Sequence, residues 1–147
     1  MKIAIGCDHA GIILKDTVME CVRAMGHEPV YMGCPDANSC DYPIYGRAVA
    51  KAVKSGQCDM GILMCGTGCG ISLAANRIPG IRCVNCSDVA TARLSREHND
   101  ANVISIGSRI VGTELACDLI KAFLSTPFSN GPRHIKRIEM IDSLPLE

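Results

Sequence analysis

The sequence contains no tryptophan and only two phenylalanines and three tyrosines. Platforms that stack single-stranded bases need aromatic side chains, so that class of partner is poorly supplied. An excess of either charge is also missing, with 15 Lys+Arg against 15 Asp+Glu. Nothing then draws the chain to a nucleic-acid backbone or an anionic membrane, and neither is expected as a partner. No apolar run approaches the roughly 18 residues that span a bilayer. The opening Met1-Lys2-Ile3-Ala4-Ile5-Gly6 runs straight into a strand pattern rather than a signal peptide's apolar region, and a cytoplasmic protein is expected. Internal repeats, low-complexity tracts and linkers are lacking too, so the 147 residues are expected to form one domain, 1–147.

What is present is core-forming. Hydrophobic residues make up 48% and charged residues 20%, enough to bury a core without covalent staples. The ten cysteines are therefore read as free thiols rather than a disulfide scaffold. Cys21, Cys83 and Cys117 fit small apolar core positions. The spacing Cys83-Val84-Asn85-Cys86 lies inside a strand pattern, and no second pair completes a zinc site, so no metal is expected.

Short apolar runs, Ile3 to Gly6, Glu28 to Met32, Met60 to Met64, Arg82 to Cys86 and Asn102 to Ile106, alternate with helical patterns. The helices are expected over Ile12 to Met25, Tyr45 to Ser55, Gly70 to Ala75, Ser87 to Glu97 and Glu114 to Leu124. Crossovers of this length join parallel strands. Runs such as Gly61-Ile62-Leu63-Met64-Cys65 are apolar throughout, as strands covered on both faces are. The expectation is α/β: a doubly wound, Rossmann-like domain with a five-stranded parallel sheet and helices on both faces. In the first helix Ile13, Val18, Cys21, Val22 and Met25 share the core face. After a turn-rich Thr126 to Pro132, a C-terminal helix reaches away from the core.

In such a sheet ligands sit beyond the carboxyl ends of the strands. After the first run comes Cys7-Asp8-His9-Ala10-Gly11, a carboxylate and an imidazole together. After the third comes Cys65-Gly66-Thr67-Gly68-Cys69-Gly70, where glycines free backbone amides to approach an anion. Cys65 stands at the rim of that nest, where amides and a helix start favour thiolate over thiol. The segment Arg96 to Asn102 enters from the opposite end of the sheet, which is a difficulty for a site built within one subunit. Arg133 and Arg137, one helical turn apart, suit either a solvated face or a phosphate.

Together these segments resemble the ribose-5-phosphate isomerase B branch of the sugar-phosphate isomerases, which include galactose-6-phosphate isomerase. The likeness runs nearly end to end. It rests on Gly6-Cys7-Asp8-His9-Ala10-Gly11, Asp41-Tyr42-Pro43, Cys65-Gly66-Thr67-Gly68 with Gly70-Ile71-Ser72, and Ala74-Ala75-Asn76-Arg77. It continues through Ser95 to Asn102, Gly107-Ser108-Arg109, and Arg133-His134 with Arg137.

The resemblance implies an aldose–ketose isomerase that interconverts ribose 5-phosphate and ribulose 5-phosphate through an enediolate, without metal or organic cofactor. It implies a homodimer with a shared site, the His98 segment or the chain's end coming from the second copy, and leaves tetramers open. Cys65 becomes the base, and Thr67 with the amides of Gly66, Gly68 and Gly70 steadies the enediolate. In another branch a glutamate takes that duty at the position of Ile71, which cannot accept a proton. His98 and Asp8 open the ring, Tyr42 and Asn99 contact the sugar, and His9, Arg109, Arg133 and Arg137 hold the phosphate. Pro132 stiffens the approach to Arg133 where the resembling chains carry glycine. Isomerisation of a six-carbon substrate such as allose 6-phosphate is the alternative, although His98-Asn99-Asp100 argues against a galactose-6-phosphate isomerase chain. A non-catalytic sugar-phosphate binder or a thiol sensor on the same scaffold is a further one.

Overall fold

The computed structural model describes residues 1–143; the last four of the expected domain lie outside the described residues. Five strands, β1 (Lys2–Cys7), β2 (Glu28–Tyr31), β3 (Met60–Cys65), β4 (Cys83–Asn85) and β5 (Val103–Gly107), form one sheet in the order β2-β1-β3-β5-β4. Every pairing is parallel. The helices are α1 (Lys15–Ala24), α2 (Tyr42–Lys54), α3 (Cys69–Ala75), α4 (Val89–Asn99), α5 (Thr113–Ser125) and α6 (Pro132–Ser143).

Strand alternation divides the interior in two. Ile3, Ile5, Ile62, Met64, Ile104 and Ile106 pack with α1, α4 and α5 on one face. Ala4, Leu63, Cys65 and Val103 pack with α2 and α3 on the other. The expected doubly wound sheet is therefore present, and Cys65 belongs to the α2–α3 face. The chain reverses direction across the sheet between β1 and β3, the point where loops part in such folds.

Boundaries differ from expectation for local reasons. The first helix begins with a tight 3-10 turn, Gly11–Leu14, because the Asp8 carboxylate takes the amides of Ala10 and Gly11 at 2.9 and 2.8 Å. Three residues per turn instead of 3.6 shifts the buried stripe. Leu14 is buried, and Ile13, expected inside, is 75% exposed. Helix α2 starts at Tyr42 rather than Tyr45, since Pro43 fits a first helical turn. Helix α4 starts after Asp88, which caps it by accepting from Thr91 N at 2.7 Å, and runs on to Asn99. Asp100, with φ 44°, then ends it. On α6, only His134 is buried.

Candidate active site

The register sets Cys7 beside Met64 and Cys65 beside Gly107, so β1, β3 and β5 end together. Their loops are then joined by main chain. Ser108 N donates to Cys65 O at 2.9 Å, and Arg109 N to Gly66 O at 3.0 Å. Ser108 Oγ reaches across to Ala10 O at 2.7 Å. Between these loops lies a cleft of about 340 Å³ lined by Asp8, His9, Tyr42, Cys65, Thr67, Gly70 and Arg109 among others.

Cys65 is only 5% exposed, and it lines this cleft. The Gly68 amide donates to its Sγ at 3.1 Å, so the sulfur is held as a hydrogen-bond acceptor. That amide is thus directed at the sulfur rather than left free for a substrate anion. Gly68 adopts φ +81°, a left-handed conformation in which other residues are strained. Thr67 is exposed, its Oγ1 accepting from Cys69 N at 3.3 Å. At Gly70 a Cβ would stand 2.6 Å from the Tyr42 ring, so the tyrosine lies directly on this glycine.

Asp8 is buried, its carboxylate accepting from the Ala10 and Gly11 amides. His9 Nδ1 accepts from Cys40 N at 3.2 Å, which assigns the ring proton of the neutral form to Nε2. Arg109 is exposed at the cleft, its guanidinium lying along Gly66.

His98, Asn99, Arg133 and Arg137 do not line this cleft. His98 and Asn99 form the last turn of α4, at the amino end of β5. There the His98 ring meets that of His134 with centroids 4.5 Å apart. Arg133 Nε donates to His134 Nε2 at 3.2 Å, and Ser129 Oγ faces Nδ1 at 2.9 Å. Burial, and then the charges of His98, Arg133 and Arg137, push His134 below the usual histidine range. The thirteen expected residues therefore fall into two groups at opposite ends of the sheet.

Three contributors were not expected as site residues. Cys40 acts through its main-chain N–H and Ser108 through its N–H and its Oγ, each on a partner that only the folded loops bring near. Asn85 sits in a strand, and its position beneath the Thr67 loop depends on β4 and β5 being neighbours. The Cys83 and Cys86 thiols are pushed up to about 12 and about 11 by burial, consistent with packing rather than reactivity.

The sequence matches the Ribose/Galactose Isomerase family over residues 3–141. It is 48% identical to ribose-5-phosphate isomerase B of Escherichia coli (strain K12), over 97% of this chain and 95% of that one. It is 40% identical to a galactose-6-phosphate isomerase subunit of Clostridium acetobutylicum, over 98% and 83%. Among solved structures, ribose-5-phosphate isomerase B of Clostridium thermocellum superposes with a TM-score of 0.94 at 48% identity, covering 97% and 95%.

Proposed function

The chain belongs to the ribose/galactose isomerase family, and from that premise we propose how its residues interconvert ribose 5-phosphate and ribulose 5-phosphate. The observation that carries the reading is a cysteine inside the cleft with a backbone N–H directed at its sulfur. The Cys65 thiolate takes the proton from C2 of the open-chain aldose and becomes a thiol. The electron pair left behind forms the enediolate, and the thiol returns its proton to C1 while a proton passes from O2 to O1. Thr67 and the loop amides other than that of Gly68 serve the oxygens that carry the developing charge, so they favour the intermediate over the ground state. Asp8, with His98, serves ring opening. His9 offers Nε2–H to the phosphate, and Arg109 supplies a cation at the same cleft.

The rest of the clamp comes from a second copy. His98, Asn99, Arg133 and Arg137 stand at the amino end of the sheet, where their own cleft is out of reach. Exposed Ile13, Ile44, Leu73 and Ile110 flank the carboxyl-end loops and suit burial against that copy. The assembly is a homodimer of one isomerase domain, 1–147. We place it in the cytoplasm, where its ten free cysteines stay reduced. Among the described residues no helix is long and apolar enough to cross a membrane.

Initial rates on purified ribose 5-phosphate, allose 6-phosphate and galactose 6-phosphate test the substrate. The pentose should give the highest kcat/KM. A six-carbon preference would overturn that part of the reading, and binding without turnover of any of the three would favour a non-catalytic role.

A further inference from the structure

The sulfur read above as the base is oriented by one peptide group, and that group is gripped from outside the cleft. The Thr67–Gly68 peptide gives its N–H to Cys65 Sγ at 3.1 Å. Its carbonyl points the other way, as a trans peptide requires. There Asn85, the last residue of β4, donates from Nδ2 to Thr67 O at 3.3 Å. The same Nδ2 lies 3.2 Å from Cys69 Sγ. Ser105, fully buried in β5, donates from Oγ to Asn85 Oδ1 at 3.3 Å. These contacts fix the amide's orientation, because the reverse would set Asn85 Oδ1 against the Thr67 carbonyl, acceptor against acceptor.

The seat of this peptide is equally specific. A Cβ on Gly107 would lie 2.7 Å from both the carbonyl carbon and the oxygen of Thr67. Only a residue without a side chain lets β5 support the peptide there. A Cβ on Gly68 would run into Asn85 Oδ1. Glycine populates both signs of φ with ease, so the Thr67–Gly68 peptide is free to rotate unless it is held. Turned over, it would present its carbonyl oxygen to the sulfur and oppose a thiolate. Asn85 itself lines a separate cleft beyond the loop, with Cys86 and Ser87, and is not among the residues around Cys65.

We propose that Asn85 is a positioning residue for Cys65: by holding the Thr67 carbonyl, it keeps the Gly68 N–H on the sulfur. The inference rests on the reading of Cys65 as the base. Four groups act in series, Ser105 hydroxyl, Asn85 amide, Thr67–Gly68 peptide and Cys65 sulfur, each polarising the next.

The test reads the sulfur and the reaction separately. Alkylation of Cys65 by iodoacetamide at pH 7 is followed by mass spectrometry of its peptide, alongside kcat and KM on ribose 5-phosphate. Asn85→Ala should slow Cys65 alkylation about threefold or more and lower kcat about tenfold, with KM held within about twofold. Asn85→Asp, which cannot donate and places a charge against the Thr67 carbonyl, should do more. Ser105→Ala, which leaves Asn85 in place without its orienting donor, should do less, and it provides the answer if the Asn85 variants fail to fold. Wild-type alkylation and wild-type kcat in the folded variants would overturn the proposal. If Cys65→Ser kept full turnover, the base assignment would fall. Slowed alkylation in Asn85→Ala would then still support the positioning, so the two ideas fail separately.

Discussion

At the carboxyl ends of the strands the loops after β3 and β5 are bound to each other through main-chain groups, Ser108 N to Cys65 O and Arg109 N to Gly66 O. Ser108 Oγ ties in the loop after β1 at Ala10 O, and the Gly68 N–H holds Cys65 Sγ. At the amino end of β5 the binding is done by charged side chains. Arg96, 7% exposed, reaches Asp100 at 2.7 Å and Ala101 O at 2.6 Å. Arg82 holds Asp100 at 3.2 Å and Asp142 at 2.8 Å, tying α6 to the end of α4. The difference follows from what each end must do. A main-chain cradle fixes a reactive sulfur without setting a full charge against it. The ionic knot holds His98, Asn99 and the α6 arginines at the surface, where the proposed homodimer would bring a second copy to them.

The sharpest way to break this comparison is to remove the sulfur. Cys65→Ala or Cys65→Ser should lower kcat at least about a hundredfold, the loss expected for a positioned base, while substrate still binds. Equilibrium binding measured beside turnover checks both halves of that statement. Full activity in both variants would mean that the cleft is not the reacting end.

A second experiment asks whether the two ends work together across subunits. Cys65→Ala and His98→Gln should each be nearly inactive alone. After mixing and subunit exchange, half the dimers are hybrids with one intact site of two, so activity should return to about a quarter of wild type. No recovery, with exchange confirmed by native mass spectrometry, would count against a shared site.

Much of the carboxyl end is legible in the sequence because it obeys local rules. Glycines mark the turn after β3, an aspartate opens the turn after β1, and continuous apolar strands announce a sheet covered on both faces. The amino end is harder to read. His98, Asn99 and Arg133 are recognisable only by resemblance, since nothing in their spacing says that α4 and α6 meet. Asn85 is hidden for a related reason: β5 inserts between β3 and β4, an order that the chain's alternation of elements does not specify. Ile13 shows the limit of periodicity, because one 3-10 turn moved it from the expected core face to the surface.

The knot can be loosened without touching the cleft. Arg96→Ala removes the guanidinium that lies over the Phe123 ring, leaves the Ala101 carbonyl without this donor and leaves the Asp100 carboxylate to Arg82 alone. Loss of one partner of a buried pair is costly, but Asp100 is 38% exposed and can recover water. A destabilisation of about 2 kcal/mol is expected, below the range for a fully buried pair. Urea titration measures it, and iodoacetamide labelling of Cys65 in the folded variant should match wild type. Altered labelling would show that the ends are coupled within one chain.

The smallest effect concerns His134, the buried ring that joins α6 to α4. Burial is the main cause of its lowered pKa, His98, Arg133 and Arg137 add to it, and Glu97 opposes them. The folded state therefore takes up this proton at lower pH than the unfolded chain does. Between the folded value and the ordinary histidine value near ~6.5, the unfolded chain binds more protons, so stability falls as pH falls through that window. Below the folded value the loss is complete. A series of thermal melts from pH 8 to pH 5 should show wild type losing more than His134→Gln, whose side chain carries no proton to gain. A cleft variant such as Cys65→Ser should keep the wild-type slope, because its change lies at the far end of the sheet. If His134→Gln melts with the same pH slope as wild type, the ring is not the titrating link between α4 and α6.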